Sequence, residues 1–336
     1  MANKPAVILD PHFRRIEEIF EPADLERLHA LADVVWGKNE PMPAEEFDRA
    51  RASAFAVITA HWHYGSIDDM PKLKAIMEVG GRHPSPKVLD YPACFARGIR
   101  VLSCAPAFGP MVAEMALGLT IASAREIVDA HIDFREGKEI FLHKSNKNAF
   151  TLFGQTVGFI GFGGLARNLK PMLAPFGCKI QVFDPWLPPT YLREQGVEPV
   201  SLEHLLQTSR VIYVLAIPSA ENRALLDRER LELIPQDAVL VLISRSHLVD
   251  FDALTELLHA RRFKAAIDVF PQEPPPLDHP IRTAPGVILS AHRAGSVPRD
   301  LRNIGHIAVN DLEAMVNGLP PMEMQTAQPE IVYRLE

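Results

Sequence analysis

The sequence predicts an α/β protein of two domains with parallel, doubly wound sheets, one domain inserted into the other. Three observations point there. The chain has 336 residues, a length that suits two domains better than one. Short apolar runs alternate with segments of helical period along most of it, the signature of βαβ units. The alternation then begins afresh at Thr156, after a polar stretch over residues 129–150.

The elements follow in order. Val7-Ile8-Leu9 reads as a short buried strand. Ile19, Leu25, Leu28 and Leu31 recur at helical spacing and predict a helix over 17–32. Further strands are predicted at 54–59 (AFAVIT), 73–78 (LKAIME) and 99–103 (IRVLS). Pro106 opens a long apolar helix expected to run to about Ile127, and residues 129–150 read as polar and irregular. Six more strands follow, at 156–160, 179–183, 211–215, 238–243, 265–269 and 287–289. Six is the number in a full dinucleotide-binding sheet. The proline cluster at 271–280 (PQEPPPLDHP) lies between two of them and reads as a rigid loop rather than a polyproline ligand. A last helix over 305–316 stops at Gly318, with two prolines after it. The expected division is 1–104 with 299–336 as a substrate domain, and 105–298 as a cofactor domain.

Composition excludes several classes. With 47% hydrophobic and 23% charged residues the chain is that of a globular protein. Its formal net charge of -7 argues against non-specific binding of nucleic acid. The N-terminus shows no charged region followed by an apolar run, so no signal peptide is expected. The most apolar segment, over 106–124, is interrupted by Glu114 and is short for a bilayer, so no membrane is expected. Cys94, Cys104 and Cys178 are odd in number and widely separated, which gives neither a disulfide framework nor a zinc set. A cytoplasmic location with reduced thiols fits, and no metal is expected.

The first chemistry lies at 156–167. A buried strand leads into Gly161-Phe162-Gly163-Gly164-Leu165-Ala166 and then a helix through Leu173. Gly161 suits a tight turn, Gly163 allows backbone N–H groups to approach a pyrophosphate, and Ala166 is small enough for helix–strand packing. The helix N-terminus adds partial positive charge. A glycine loop alone is weak evidence. Here the strand over 179–183 ends in Asp184, whose carboxylate can accept both ribose hydroxyls and repel a 2′-phosphate. The combination points to NAD rather than NADP.

Downstream, the chain resembles the D-isomer-specific 2-hydroxyacid dehydrogenases, in the order and spacing of VAEMALGLTIASAR (112–125), GQTVGFIGFGGLAR (154–167), SRSHLVD (244–250), AAIDVFPQEP (265–274) and SAHRAG (290–295). The resemblance covers nearly the whole chain and implies two Rossmann-like domains and a homodimer formed through the cofactor domain. Arg245 matches the family's catalytic arginine, His292 its catalytic histidine, and Glu273 the glutamate that partners the histidine. Gly164 and Leu165 fall where the loop meets the pyrophosphate. Ile217 and Asn222 fall on the adenine and nicotinamide side, and Asp268 at the nicotinamide end. Ile243 and Gly295, beside Arg245 and His292, complete the expected cofactor contacts. Val79, Gly80 and Gly81 lie near the backbone expected to hold a substrate carboxylate, with Arg245 and His292 as the other substrate contacts.

The chemistry is consistent. A 2-keto acid places carboxylate and carbonyl side by side, which suits the planar fork of arginine. Hydride transfer to the carbonyl carbon builds charge on oxygen, and a histidine can supply the proton near neutral pH. A carboxylate such as Glu273 stabilises the imidazolium.

The sequence also departs from the family. The arginine sits in Leu242-Ile243-Ser244-Arg245-Ser246 rather than Asn-x-Ala-Arg-Gly, and Ala291 replaces the usual Pro before the histidine. The third glycine is Ala166, and Ser103-Cys104-Ala105-Pro106 replaces Asn-x-Pro-Gly. These changes leave the catalytic types in place and put the identity of the acid in doubt. Ala60-His61-Trp62-His63-Tyr64 is a candidate for the difference, as substrate contact or as loop packing; two histidines with no third ligand do not make a metal site. Two rival readings stay open. One is a non-catalytic NAD(H)-sensing binding protein or corepressor on the same scaffold. The other is a different chemistry such as formate oxidation, for which no suitable Asn can be placed.

Overall fold

The computed structural model describes residues 4–334. The chain forms two compact units, Met1–Phe108 with Ser296–Glu336, and Gly109–Gly295. The first boundary falls after Phe108 rather than after residue 104, because Ala105–Phe108 form a 3₁₀ turn and the helix proper begins at Gly109, and the second falls after Gly295 rather than after residue 298.

Strands are numbered along the chain. The first unit begins with β1 (Ala6–Asp10), β2 (Asp33–Trp36), β3 (Ala54–Thr59), β4 (Ala75–Glu78) and β5 (Arg100–Ser103). The second holds β6 (Thr156–Ile160), β7 (Lys179–Phe183), β8 (Glu198–Pro199), β9 (Val211–Val214), β10 (Val239–Leu242), β11 (Lys264–Ile267) and β12 (Val287–Leu289). The short β13 (Gln325–Thr326) returns to the first unit.

The first sheet has the order β13-β5-β4-β3-β1-β2, parallel except for β13. Alternate residues Ile8, Val57, Ile76 and Val101 join one core with Phe47, Trp62, Tyr91 and Cys94. The intervening Val7, Leu9, Ile58, Met77 and Leu102 are equally buried. Both faces are therefore covered, as an all-parallel core sheet requires. The strand order reverses at β1, which puts the ends of β1 and β3 at a topological switch point.

The second sheet is parallel throughout, in the order β12-β11-β10-β9-β6-β7-β8. Ile160, Ile212, Val214, Leu240 and Leu242 pack with Leu202, Leu205, Leu206 and Leu254 from the helices Leu202–Thr208 and Phe251–His259. On the other face Phe159 meets Tyr213 edge-on, and the Tyr213 hydroxyl and Thr120 of the helix Gly109–Ala124 hydrogen-bond at 2.6 Å. The sheet is thus doubly wound. That long apolar helix packs on β10, β11, β12 and the helix Gly164–Leu173, so it is a core helix of this unit.

Several expectations shift. The helix expected over 17–32 is two, Ile16–Ile19 and Pro22–Leu31, because Pro22 takes the first position of the second and Phe20 is extended. The helix expected to reach Ile127 ends at Ala124, where Glu126 adopts a left-handed conformation (φ +53°). The stretch read as irregular from 129 begins inside a helix, Ile127–Arg135. Its apolar residues Ile127, Ile132 and Phe134 are exposed, so their periodicity marks no core face.

Candidate active site

The site builds up at the carboxyl ends of β6, β7, β9, β10, β11 and β12, around the point where the order of the second sheet reverses beside β6. Ligands of open α/β sheets bind at such points. After β6 the chain turns at Gly161 (φ +93°), whose N–H donates to the Phe183 carbonyl at 2.9 Å. A Cβ there would stand 2.7 Å from the Ala216 backbone, so no side chain fits. At Gly163 and Gly164 a Cβ would meet nothing within 4 Å. The two glycines at the start of the helix Gly164–Leu173 are thus uncrowded on their Cβ side, and a helix N-terminus of this kind suits a pyrophosphate. Leu165 lies in the first turn of that helix and Ala166 is fully buried.

Asp184, just past β7, does more than end a strand. Its Oδ2 accepts from the Phe162 N–H at 2.8 Å, and its Oδ1 from Trp186 N–H at 2.9 Å. The carboxylate pins the middle of the glycine loop while remaining half-buried, with lone pairs left for ribose hydroxyls. Ile217 is exposed past β9. Asn222 closes that loop on itself: its Oδ1 accepts from Ser219 N–H and its Nδ2 donates to the Ile217 carbonyl, each at 2.8 Å.

Ile243 and Ser244 are buried and lead to Arg245, whose side chain is exposed and donates to the Ser244 carbonyl at 2.6 Å. After β11, Asp268 is fully buried, and its two oxygens accept from the Arg293 and Ala294 N–H groups at 3.1 Å each. Its carbonyl accepts from His292 N–H at 2.7 Å. Asp268 therefore shapes the turn that presents His292, and the structure uses its carboxylate there. His292 sits in the left-handed region (φ +47°), a conformation that costs about 1 kcal/mol or more in a non-glycine residue. Gly295 ends the unit.

His292 Nδ1 lies 2.6 Å from Glu273 Oε2, and Glu273 Oε1 accepts from the Phe270 N–H at 2.9 Å. Burial opposes the Glu273 charge, but the hydrogen bonds from His292 and Phe270 and the charges of His292 and Arg245 outweigh it. Its carboxyl is held below the ordinary range. An ionised partner at Nδ1 fixes the proton there and leaves Nε2 for chemistry.

Sequence reasoning missed three serines. The hydroxyls of Ser219, Ser244 and Ser290 are buried with no hydrogen-bond partner among the described residues. They stand after β9, β10 and β12, beside Asn222, Arg245 and His292 respectively. Buried polar groups are rarely left unpaired, and a polar ligand along these strand ends would satisfy them. Small polar residues next to a motif carry no sequence signal of this kind.

In the first unit, the Val79 N–H donates to the Thr59 carbonyl, and the N–H groups of Gly80 and Gly81 are taken by the Glu78 carboxylate. The segment 60–64 divides its roles. Trp62 is core, Tyr64 stacks on Phe47 and donates to buried Asp10 at 2.5 Å, and His61 and His63 are exposed.

The family described as D-isomer specific 2-hydroxyacid dehydrogenase, NAD binding domain, matches residues 117–294. The chain belongs to this family. NAD is the cofactor of the matched domain. The chain is 32% identical over 221 residues to a hydroxypyruvate reductase of Thermotoga maritima, covering 65% of this chain and 70% of that one. It is 29% identical over 254 residues to a D-3-phosphoglycerate dehydrogenase of Methanocaldococcus jannaschii, covering 75% of this chain and 47% of that one. It thus spans about half the length of that relative. Among solved structures, a phosphoglycerate oxidoreductase from Rhizobium etli superposes with a TM-score of 0.85 at 36% identity, over 97% of this chain and 99% of that one.

Proposed function

We propose that the protein interconverts a D-2-hydroxy acid and its 2-keto acid, with Arg245, Glu273 and His292 as its catalytic residues. The observation that carries this reading is the 2.6 Å contact between His292 and Glu273, with Arg245 acting on the same carboxylate through its charge.

Bound NAD supplies or accepts the hydride. The Arg245 guanidinium holds the acid by its carboxylate and polarises the carbonyl. In reduction, His292 gives a proton from Nε2 to the carbonyl oxygen; in oxidation it takes one back. Glu273, ionised and fixed by the Phe270 N–H, stabilises the imidazolium and sets the ring's orientation. Asp268 acts through the backbone of residues 292–294. Asp184 and the glycine loop hold the adenosine and pyrophosphate ends, with Ile217, Asn222 and Ile243 along the same strand ends.

The acid itself is a small 2-keto or 2-hydroxy acid. The relatives named as reductases of hydroxypyruvate and dehydrogenases of phosphoglycerate support the class. A homodimer also fits, since Phe134, Phe141, Leu142 and Phe153 expose apolar surface on the cofactor unit, and the free Cys94, Cys104 and Cys178 fit a cytoplasmic location. The intact residue set argues against a non-catalytic NAD(H) sensor. A panel of 2-keto acids with NADH and NADPH, followed by cofactor absorbance, tests the reading. Turnover with NADH is expected; tight NADH binding with no turnover favours the sensor.

A further inference from the structure

Strand β4 ends at Glu78, and the chain then turns so that three successive backbone N–H groups converge on that residue's own carboxylate. Gly80 donates to Oε1 at 2.8 Å, and Gly81 and Arg82 donate to Oε2 at 2.9 Å each. Consecutive N–H groups in such a turn form an anion-binding nest. Gly81 has φ +108°, and a Cβ on Gly80 would stand 2.4 Å from Glu78 Oε1 and 2.9 Å from the Ala60 carbonyl. The two glycines are thus what allows the turn to close on a carboxylate. Resemblance to the family assigns this same backbone to a substrate carboxylate. Here the chain supplies the carboxylate itself.

We propose that Glu78 is the resident occupant of this nest, and that an acid ligand's carboxylate enters it by exchanging with the Glu78 carboxylate on the N–H groups of Gly80, Gly81 and Arg82. The inference rests on the 2-hydroxy acid reading for the nature of the ligand. It makes Glu78 a specificity-determining residue, because a ligand must displace an internal anion of the same chemistry.

The surroundings say what happens to the displaced group. Glu78 is 3% exposed. Burial pushes its carboxyl up to about 7, although the three N–H donors and the charge of Arg82 pull the other way. Tyr91 and Cys104 also feel its charge, and both are raised chiefly by burial and so are neutral. Arg82 and Arg14 are the cations nearby: Arg14 acts on Cys104, and Arg82 also acts on His61, whose pKa burial lowers. A Glu78 carboxyl that loses its three donors inside this buried setting takes a proton from solvent. Acid binding is therefore coupled to uptake of one proton, and above pH about 7 affinity falls about tenfold per unit.

Oxamate is a suitable probe, since it carries a carboxylate beside a carbonyl and accepts no hydride. Its binding is measured by calorimetry with saturating NADH at pH 8, in two buffers of different ionisation enthalpy, for the intact chain, Glu78→Gln and Glu78→Asp. The amide cannot accept from all three N–H groups, and the shorter aspartate cannot reach them. Both variants are expected to bind oxamate at least tenfold more tightly, and Glu78→Gln to lose about one proton of uptake. Equal affinity and equal uptake in all three chains overturn the proposal, as does failure of any of them to bind. Keto-acid turnover with unaltered oxamate binding removes the nest proposal and leaves the dehydrogenase reading. Tighter oxamate without turnover in any chain does the reverse.

Discussion

His292 and Glu273 face one another at 2.6 Å, Nδ1 to Oε2, from a left-handed turn and from the proline-rich loop after β11 respectively. Neither orientation is left to the pair alone. Asp268 fixes the His292 turn through N–H groups 293 and 294, and the Phe270 N–H fixes Glu273. In the proposed role of general acid, a His292 held from both sides would lose little further entropy in use.

His292→Ala should lower kcat/KM for keto-acid reduction by about 100-fold to 10,000-fold, the usual contribution of a positioned general acid. NADH affinity, read by fluorescence titration, should change little. Equal loss of both would make His292 a structural residue.

The Glu273 carboxyl is depressed in the fold. By linkage its pairing stabilises the native state above the ordinary value of 4.5 and is lost as pH falls through the lower folded value. Glu273→Gln should therefore flatten the acid limb of the melting curve below pH 4.5, and lower kcat more than it raises KM.

For Glu78 the sign is opposite. Its folded value of about 7 lies above the ordinary 4.5, so the native state binds more protons than the unfolded one between those values. Stability falls as pH rises through that window, by about 3 kcal/mol in all. Glu78→Gln should lose that slope in denaturant titrations at pH 5 and pH 8; an unchanged slope would place the titration elsewhere.

Asp184→Ala removes the acceptor for the Phe162 N–H and, on the proposed reading, the ribose partner as well. NADH affinity should fall and the preference against NADPH should relax. An unchanged cofactor ratio would show that the carboxylate only braces the loop.

At Gly161 an alanine meets both a positive φ and the Ala216 backbone. Gly161→Ala should cost about 1–3 kcal/mol and shift the melting temperature down. NADH binding should weaken with it.

The sequence made the nucleotide half of the molecule legible for a physical reason. β6, Gly161, Gly163 and Asp184 lie within one βαβ unit, so their meeting in space follows from local geometry. Arg245, Glu273 and His292 lie far apart along the chain, and only the resemblance joined them. For Asp268 the resemblance implies a place at the nicotinamide end, but whether its carboxylate faces a ligand or the N–H groups of 293 and 294 depends on burial. Glu78 gave no signal at all: a single glutamate at the end of an apolar strand reads as a solvated terminus until the turn over Gly80 and Gly81 is seen. β8 and β13 escaped for a related reason, being edge strands of two residues each, too short to carry a period.

The most direct test of the account is the chirality of the product formed when the chain and NADH reduce a panel of small 2-keto acids. NADH-dependent turnover of at least one is expected, yielding the D-2-hydroxy acid and lowered by about 100-fold or more in His292→Ala. An L-product, or tight NADH binding with no turnover of any acid, would contradict it.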